Sequence, residues 1–424
     1  MSAPELDVVI RNAASVYTLA GEIPVRGDAL TRIAAQTDID VGARGDRIAA
    51  VGRCDMAGVS FDATGCTVTP GFVDCHTHLP FFGWRADEDA ARLSGVRYDT
   101  LHKEEGGIFR SARLLAEATD NEVLDFSLAL AGDMLRKGTT TFETKSGYGL
   151  SVEKELRQLR LARALAEKVP QRVERTCLAA HAIPKDKSAG EWVGEAAQDL
   201  LPRVASEGLA SACDIYVESI AFTLEHAARL ANSASELGLR MRVHADQLED
   251  GQAGSFAARW DFASADHLNH TSLAAAGDLA ASNTVAVLLP GATFTLRQNK
   301  KPPARSLLEE GAVVALGTDL NPGTSPLHSM PLVIALACRL YGLRPLEALA
   351  AATVNAAYAL GLEDEVGRLA PGLRADAVVL DASSFEHVPY RPDADLVLAV
   401  LCGGELVYVA ERAAGRLSQN PQRA

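Results

Sequence analysis

GFVDCHTHL, residues 71–79, is the stretch on which the reading of this chain turns. An apolar run leaves a Pro-Gly pair and ends in two histidines separated by one threonine. Residues two apart in a strand share a face, so His76 and His78 should point the same way and Cys75 the other, into a core. Two neutral imidazoles on one face can hold a metal ion, because ligand nitrogens must converge to about 2 Å from it. Taken alone, His-X-His also describes two histidines satisfied by ordinary hydrogen bonds at a strand end. The other strands decide between these readings.

Seven further segments share this apolar-to-polar layout: TTTFETK, VERTCLAAH, DIYVESI, RMRVHAD, FASADHL, TVAVLLP and VVALGTDL. Between them lie amphipathic stretches such as NEVLDFSLALAGDMLRKG and VEKELRQLRLARALAEK, whose apolar residues recur every three or four positions. Eight continuously apolar strands alternating with helices predict a closed parallel (β/α)8 barrel of the TIM type. The alternative is a doubly wound open sheet. It has no support from a Gly-X-Gly-X-X-Gly or Walker A motif, because in KSGYGL the lysine precedes the glycines.

Both ends of the chain differ from this middle. LDVVIRN, IDVGARGDRIAAVG and ATGCTVT near the start, and RADAVVLDA with DLVLAVLCGGELVYVAER near the end, read as short strands broken by Gly and Asp turns. They predict a small β-sandwich-like domain built from residues 1–67 plus 371–424, with the barrel over 68–370.

A chain of 424 residues with 48% hydrophobic residues can bury a sizeable core, and its length favours a large domain with a smaller one. A net charge of −14 argues against a nucleic-acid or membrane-surface partner, so an anionic substrate must meet local positive charge. The N-terminus lacks the pattern of a signal peptide, and no apolar run of about 18 residues occurs, so a cytoplasmic location is expected. Seven scattered cysteines without a Cys-X-X-Cys pair fit reduced thiols.

Polar residues gather where the strands end. They are His76, His78, Lys145 to Tyr148, His181, Glu218, His244 with Asp246 and Gln247, Asp266 with His267, and Asp319. Barrel enzymes build their sites at that rim. Within the set, His76, His78, His244 and Asp319 make a nitrogen-rich, one-carboxylate group suited to one catalytic divalent ion: zinc first, with iron or manganese as alternatives. Such an ion acidifies a water and polarises a carbonyl, which predicts hydrolysis of an amide-like bond. Lys145, if carbamylated, or Glu218 could instead serve a second ion; Glu218 could also orient a ligand histidine.

PGFVDCHTHL, ETKSGYGL, AAHAIP, HADQ, SADHL, AVLLPG, KKPPARSLLEEG and TDLNPGTSP follow in the order and at the separations of the imidazolonepropionases of histidine degradation, in the amidohydrolase superfamily. The chain resembles that family over essentially its whole length. The resemblance implies metal-dependent hydrolysis of 4-imidazolone-5-propanoate to N-formimino-L-glutamate, a small anionic heterocycle as the partner, and a homodimer. It places His76, His78, His244 and Asp319 on metal ligands. Arg85, Tyr98, Tyr148 and His181 fall on substrate-binding positions, and His267 and Gln247 near the scissile bond, with Asp319 also catalytic. Some relatives carry Glu where this chain has Gln247. An amide cannot titrate, so proton transfer falls to Asp319 or His267. Val217, Asn269, Thr293 and Thr295 also depart from the family pattern near the pocket mouth. A related amidohydrolase or deaminase acting on another nitrogen heterocycle is the competing reading, and Gln247 argues against deamination.

Overall fold

The computed structural model describes residues 6–54, 57–95 and 106–419. Eight parallel strands form one sheet in sequential order. They are β1 (Phe72–Asp74), β2 (Thr139–Lys145), β3 (Arg172–Ala180), β4 (Ala212–Val217), β5 (Arg240–Ala245), β6 (Ser264–His267), β7 (Val285–Leu288) and β8 (Val314–Leu316). All eight overlap the segments expected from sequence; six lie within them, and β3 and β4 begin one and two residues earlier. The sheet closes just beyond the ends of β8 and β1, where Thr77 and Leu320 form a parallel bridge. The Asp319 amide donates to the His76 carbonyl and the His78 amide to the Leu320 carbonyl, each at 2.9 Å. The seam of the barrel therefore runs through the candidate metal residues.

Helices wrap the outside, and their ends carry the expected chemistry. Thr119 and Glu122 form a capping box at the start of helix Asp120–Arg136, satisfying amide groups that the first turn leaves without partners. His226 does the same with Thr223 for helix Leu224–Glu236. No described helix is long and apolar enough to cross a membrane.

The strands are not apolar throughout, which corrects the sequence expectation. Phe142, Ile215, Val243 and Ala265 belong to apolar clusters. Intervening positions bury Glu143, Lys145, Asp214, Arg242 and Asp266, each at most 1% exposed. Strand alternation explains both sets: one face packs on the helices and the other fills the barrel. Here the filling beneath the rim is ionic.

The termini form two five-stranded sheets. Leu6–Arg11 joins Asp40–Arg44, Arg47–Gly52, Ala57–Asp62 and Leu417–Gln419 in one; Ser15–Val16 joins Thr67–Pro70, Ala377–Leu380, Val397–Cys402 and Glu405–Val409 in the other. Val8, Ile10, Phe61, Val68, Val379 and Leu401 share one apolar cluster between them. Because Thr67–Pro70 pairs with Ala377–Leu380, we place the first domain boundary after Pro70.

Candidate active site and metal centre

Four residues contributed by the ends of β1, β5 and β8 crowd together at the rim. His76 Nε2 lies 3.3 Å from His78 Nε2, and Asp319 Oδ1 lies 3.2 Å from His78 Nε2 and 3.6 Å from His76 Nε2. His244 packs against His76, with ring centroids 4.6 Å apart, and its buried Nε2 has no hydrogen-bond partner among the described residues. Two triads converge closely enough to hold an ion: His76, His78 and His244, and His76, His267 and Asp319. Burial drives the His76 and His78 pKa values down. Both rings are thus neutral and able to offer lone pairs.

A left-handed backbone turns two of these residues inward. His267 has φ 77° and Asp319 φ 54°. Alternation alone would turn His267 away from Asp266; the sparsely populated conformation brings both to the inside. Strain of this kind concentrates at functional sites.

Carboxylates hold the rings from below. Asp266 Oδ2 is 2.6 Å from His76 Nδ1, and Asp214 Oδ2 is 3.1 Å from His244 Nδ1. An ionised carboxylate only accepts, so each Nδ1 donates its hydrogen, and in the neutral ring Nε2 keeps a lone pair for the cavity. Burial disfavours charge on His244, but Asp214 outweighs it and raises the pKa. Sequence reading noted Asp266 without a role and missed Asp214; a charged residue inside an otherwise apolar strand was the available signal.

Above the cluster opens a cleft lined in part by Arg85, Tyr148, His181, Gln247, His267 and Asp319. Arg85 is 3% exposed, and its Nε and Nη1 have no hydrogen-bond partner among the described residues. Its Nη1 forms an ion pair with Glu88 at 3.5 Å. Gly323 leaves room for it, since a Cβ there would lie 1.6 Å from Arg85 Nη2. His181 stacks on His78 with ring centroids 5.0 Å apart, and burial keeps it neutral. Tyr148 packs at 5.5 Å from His181. Tyr98 lies outside the described residues.

The model of the amidohydrolase family matches residues 67–407. The chain is 41% identical to the imidazolonepropionase of Symbiobacterium thermophilum over 414 residues, 95% of this chain and 97% of that one. It is 44% identical to the imidazolonepropionase of Paracoccus denitrificans over 349 residues, 82% and 87% of the two chains.

This chain belongs to the amidohydrolase family.

Solved relatives in fold include 5-methylcytosine deaminase from Klebsiella pneumoniae, with TM-score 0.73 at 20% identity over 95% of this chain and 98% of the other. A triazine hydrolase variant gives TM-score 0.73 at 17% identity over 96% and 95%.

In this amidohydrolase the family and the histidine cluster point to a divalent metal site. The residues beyond the cluster divide differently from expectation. Glu218 does not orient a ligand histidine. Its Oε1 accepts the Gln247 and Leu248 amides at 2.6 and 2.8 Å, pinning the loop that carries Gln247. Gln298 Nε2 donates to the Gln247 carbonyl at 3.2 Å. The family departures Asn269 and Thr293 bind each other at 2.8 Å, and Thr293 meets the Tyr341 hydroxyl at 2.7 Å. Val217 packs in the core. None of these three, nor Thr295, lines the cleft. Tyr216, Leu248, Leu296, Asn321 and Thr324 do, and motif reading had not singled them out for the site.

Proposed function

We propose that this amidohydrolase opens the ring of 4-imidazolone-5-propanoate by metal-dependent hydrolysis, yielding N-formimino-L-glutamate. The observation that carries this reading is Arg85, a buried guanidinium in the same cleft as the histidine cluster whose Nε and Nη1 make no hydrogen bond among the described residues. An acidic protein needs such a cation to receive a propanoate, and the planar guanidinium can bind a carboxylate through two hydrogen bonds. Imidazolonepropionase relatives at 41% identity over nearly the whole chain support the same assignment.

We assign His76, His78, His244 and Asp319 as the ligands of one divalent ion. Their close nitrogens, the His244 Nε2 without a hydrogen-bond partner among the described residues and a single carboxylate suit zinc, with iron and manganese as alternatives. When bound, the ion supplies a Lewis acid for the ring carbonyl and lowers the pKa of water.

The chain's own groups do the rest. Arg85 holds the propanoate, and Tyr148 and His181 flank the ring. His267, whose pKa burial pushes down to about 3, is neutral and offers an N–H where charge develops on the carbonyl oxygen. Asp319 is held below the usual carboxylate range despite its burial by His78 and His267, so it is ionised and able to take a proton at a carboxylate oxygen. It passes that proton to the departing ring nitrogen. Gln247 contributes hydrogen bonds alone.

The test is metal analysis of the purified protein together with assay on freshly generated imidazolone propanoate. Loss of the ring's ultraviolet absorbance without ammonia release is expected. Ammonia release, or no turnover by metal-loaded protein, would overturn the assignment.

A further inference from the structure

Past the end of β2, residues 146–150 form a loop that brings Tyr148 to the cleft before helix Val152–Ala166 begins. Four successive amides of this loop are accepted by two side chains of that helix. Glu155 Oε2 accepts the Gly147 amide at 2.8 Å, and its Oε1 accepts the Gly149 and Leu150 amides at 2.7 and 2.9 Å. Gln158 Oε1 accepts the Tyr148 amide at 3.0 Å, while its Nε2 donates to the Pro80 carbonyl at 2.9 Å. Both side chains are buried. A buried carboxyl and a buried amide are each costly without a partner, so the helix and the loop satisfy one another.

We infer that Glu155 and Gln158 are positioning residues for substrate: they fix the loop so that Tyr148 already stands beside His78 and His181 when substrate arrives. The inference rests on Tyr148 being a substrate contact and assigns roles to two residues that do not themselves line the cleft.

The geometry leaves the loop little freedom. Residues three apart share a helix face, so Glu155 and Gln158 reach towards the loop together. Gly147 has φ 114°, and a Cβ there would lie 2.8 Å from the Leu178 carbonyl oxygen and 2.9 Å from His181 Nδ1. A Cβ on Gly149 would lie 2.3 Å from the Glu155 backbone nitrogen. The loop thus approaches β3 on one side of Tyr148 and the helix on the other more closely than a side chain allows. Between the two glycines the Tyr148 ring is set 5.5 Å from the His181 ring and 6.0 Å from the His78 ring, centroid to centroid. The second arm of Gln158 ends on Pro80, two residues beyond His78. One amide side chain therefore registers the loop bearing Tyr148 against the strand end bearing a proposed metal ligand. A recognition group held in advance loses less freedom when its ligand binds, and the gain falls on binding.

Gln158→Met keeps the length of the side chain and removes both hydrogen bonds. KM, kcat, bound metal and hydrogen exchange of residues 147–150 should be measured for wild type, Gln158→Met, Tyr148→Ala and the double variant. Gln158→Met should speed exchange at least ~tenfold, because the loop loses one of its anchors. It should raise KM at least ~fivefold with kcat changed less than ~threefold. Bound metal should match wild type, because the His78 amide keeps its own bond to the Leu320 carbonyl. On the Tyr148→Ala background, where no ring is left to misplace, the same change should move KM less than ~twofold.

A wild-type KM in Gln158→Met would overturn the inference. So would equal KM changes in both backgrounds, since Gln158 would then act without Tyr148, and so would loss of metal, which would make it a support of His78 instead. If Gln158→Met does not fold, Glu155→Gln, which sets an NH2 group against the loop amides, is judged by the same comparisons; failure of both to fold would make the pair structural and overturn the inference. Tyr148→Ala with a wild-type KM would remove Tyr148 from the substrate contacts, and the inference with it. Wild-type protein that does not turn over imidazolone propanoate would overturn the proposed function, while the exchange comparison would still judge whether Gln158 holds the loop.

Discussion

Asp319 Oδ1 and His78 Nε2 stand 3.2 Å apart across the seam that closes the barrel. Hydrogen bonds from the Asp319 and His78 amides join the two edges at the same place. An ion held by these side chains would therefore clamp the first strand to the last. Because binding to the folded chain alone stabilises it, by about 2.7 kcal/mol at a hundredfold excess over Kd, zinc should raise the unfolding temperature of wild type. His78→Ala and Asp319→Ala should abolish that rise and lower kcat by at least ~10²-fold, beyond the usual cost of disturbing a ligand's supporting shell. Thermal unfolding with and without chelator, alongside metal analysis, checks this. A variant with full metal content and full rate would remove its residue from the ligand set.

Arg85 should act on binding more than on turnover. Arg85→Lys replaces a planar fork with a point charge, and the lost charged hydrogen bond predicts a KM about tenfold higher or more with a smaller change in kcat. Gly323→Ala should do the same indirectly, since its Cβ would lie 1.6 Å from Arg85 Nη2. An imidazolone lacking the carboxylate separates recognition from structure. Its kinetics should be insensitive to both substitutions, and equal sensitivity would make Arg85 structural.

The barrel was legible because helical and strand periods alternate over a long span, and its rim was legible because polar residues end nearly every strand. The ion cluster was not. TTTFETK and RMRVHAD read as apolar strands, yet Glu143 and Lys145 in one, and Arg242 and His244 in the other, are two residues apart and face inward. Charge at that spacing inside a buried strand marks a polar barrel interior. Glu218 was harder to place. Its partners are backbone amides of Gln247 and Leu248, which no residue pattern announces. The inward turn of His267 depends on a positive φ in a non-glycine residue, against the usual preference.

Glu218 gives the molecule a pH signature. Burial pushes its pKa from 4.5 up to about 7 despite the two amides it accepts. The folded chain therefore binds the proton more tightly than the unfolded one. Its contribution to stability is fully present below pH 4.5 and is lost as pH rises towards about 7. Glu218→Gln keeps an acceptor for the amides and removes the titration. In metal-free protein, its stability relative to wild type should rise between those pH values, by at most about 3 kcal/mol. Denaturant unfolding at pH 4.5, 6 and 8 measures it. A stability difference that does not change with pH would mean that Glu218 titrates as an ordinary carboxylate.

The remaining question at the site is how two neighbours divide the chemistry. Gln247 cannot exchange a proton, and its loop is fixed from behind by Glu218 and Gln298. Gln247→Glu adds an ionisable group without removing a proposed ligand, so metal content should hold and hydrolysis should persist at a moderately altered rate. His267 is different. It is neutral, 2% exposed and part of the ligand-grade triad with His76 and Asp319. If its N–H meets the charge developing on the ring carbonyl, His267→Ala should lower kcat on the order of 10²-fold. KM should change less, because the interaction strengthens only in the transition state. The second triad gives an alternative source for such a loss, namely a missing ligand, so metal content must be measured on the same preparation. Lost rate with retained metal assigns His267 to transition-state stabilisation, and lost rate with lost metal assigns it to the ligand set. A near-normal His267→Ala beside an inactive Gln247→Ala would reverse the two roles.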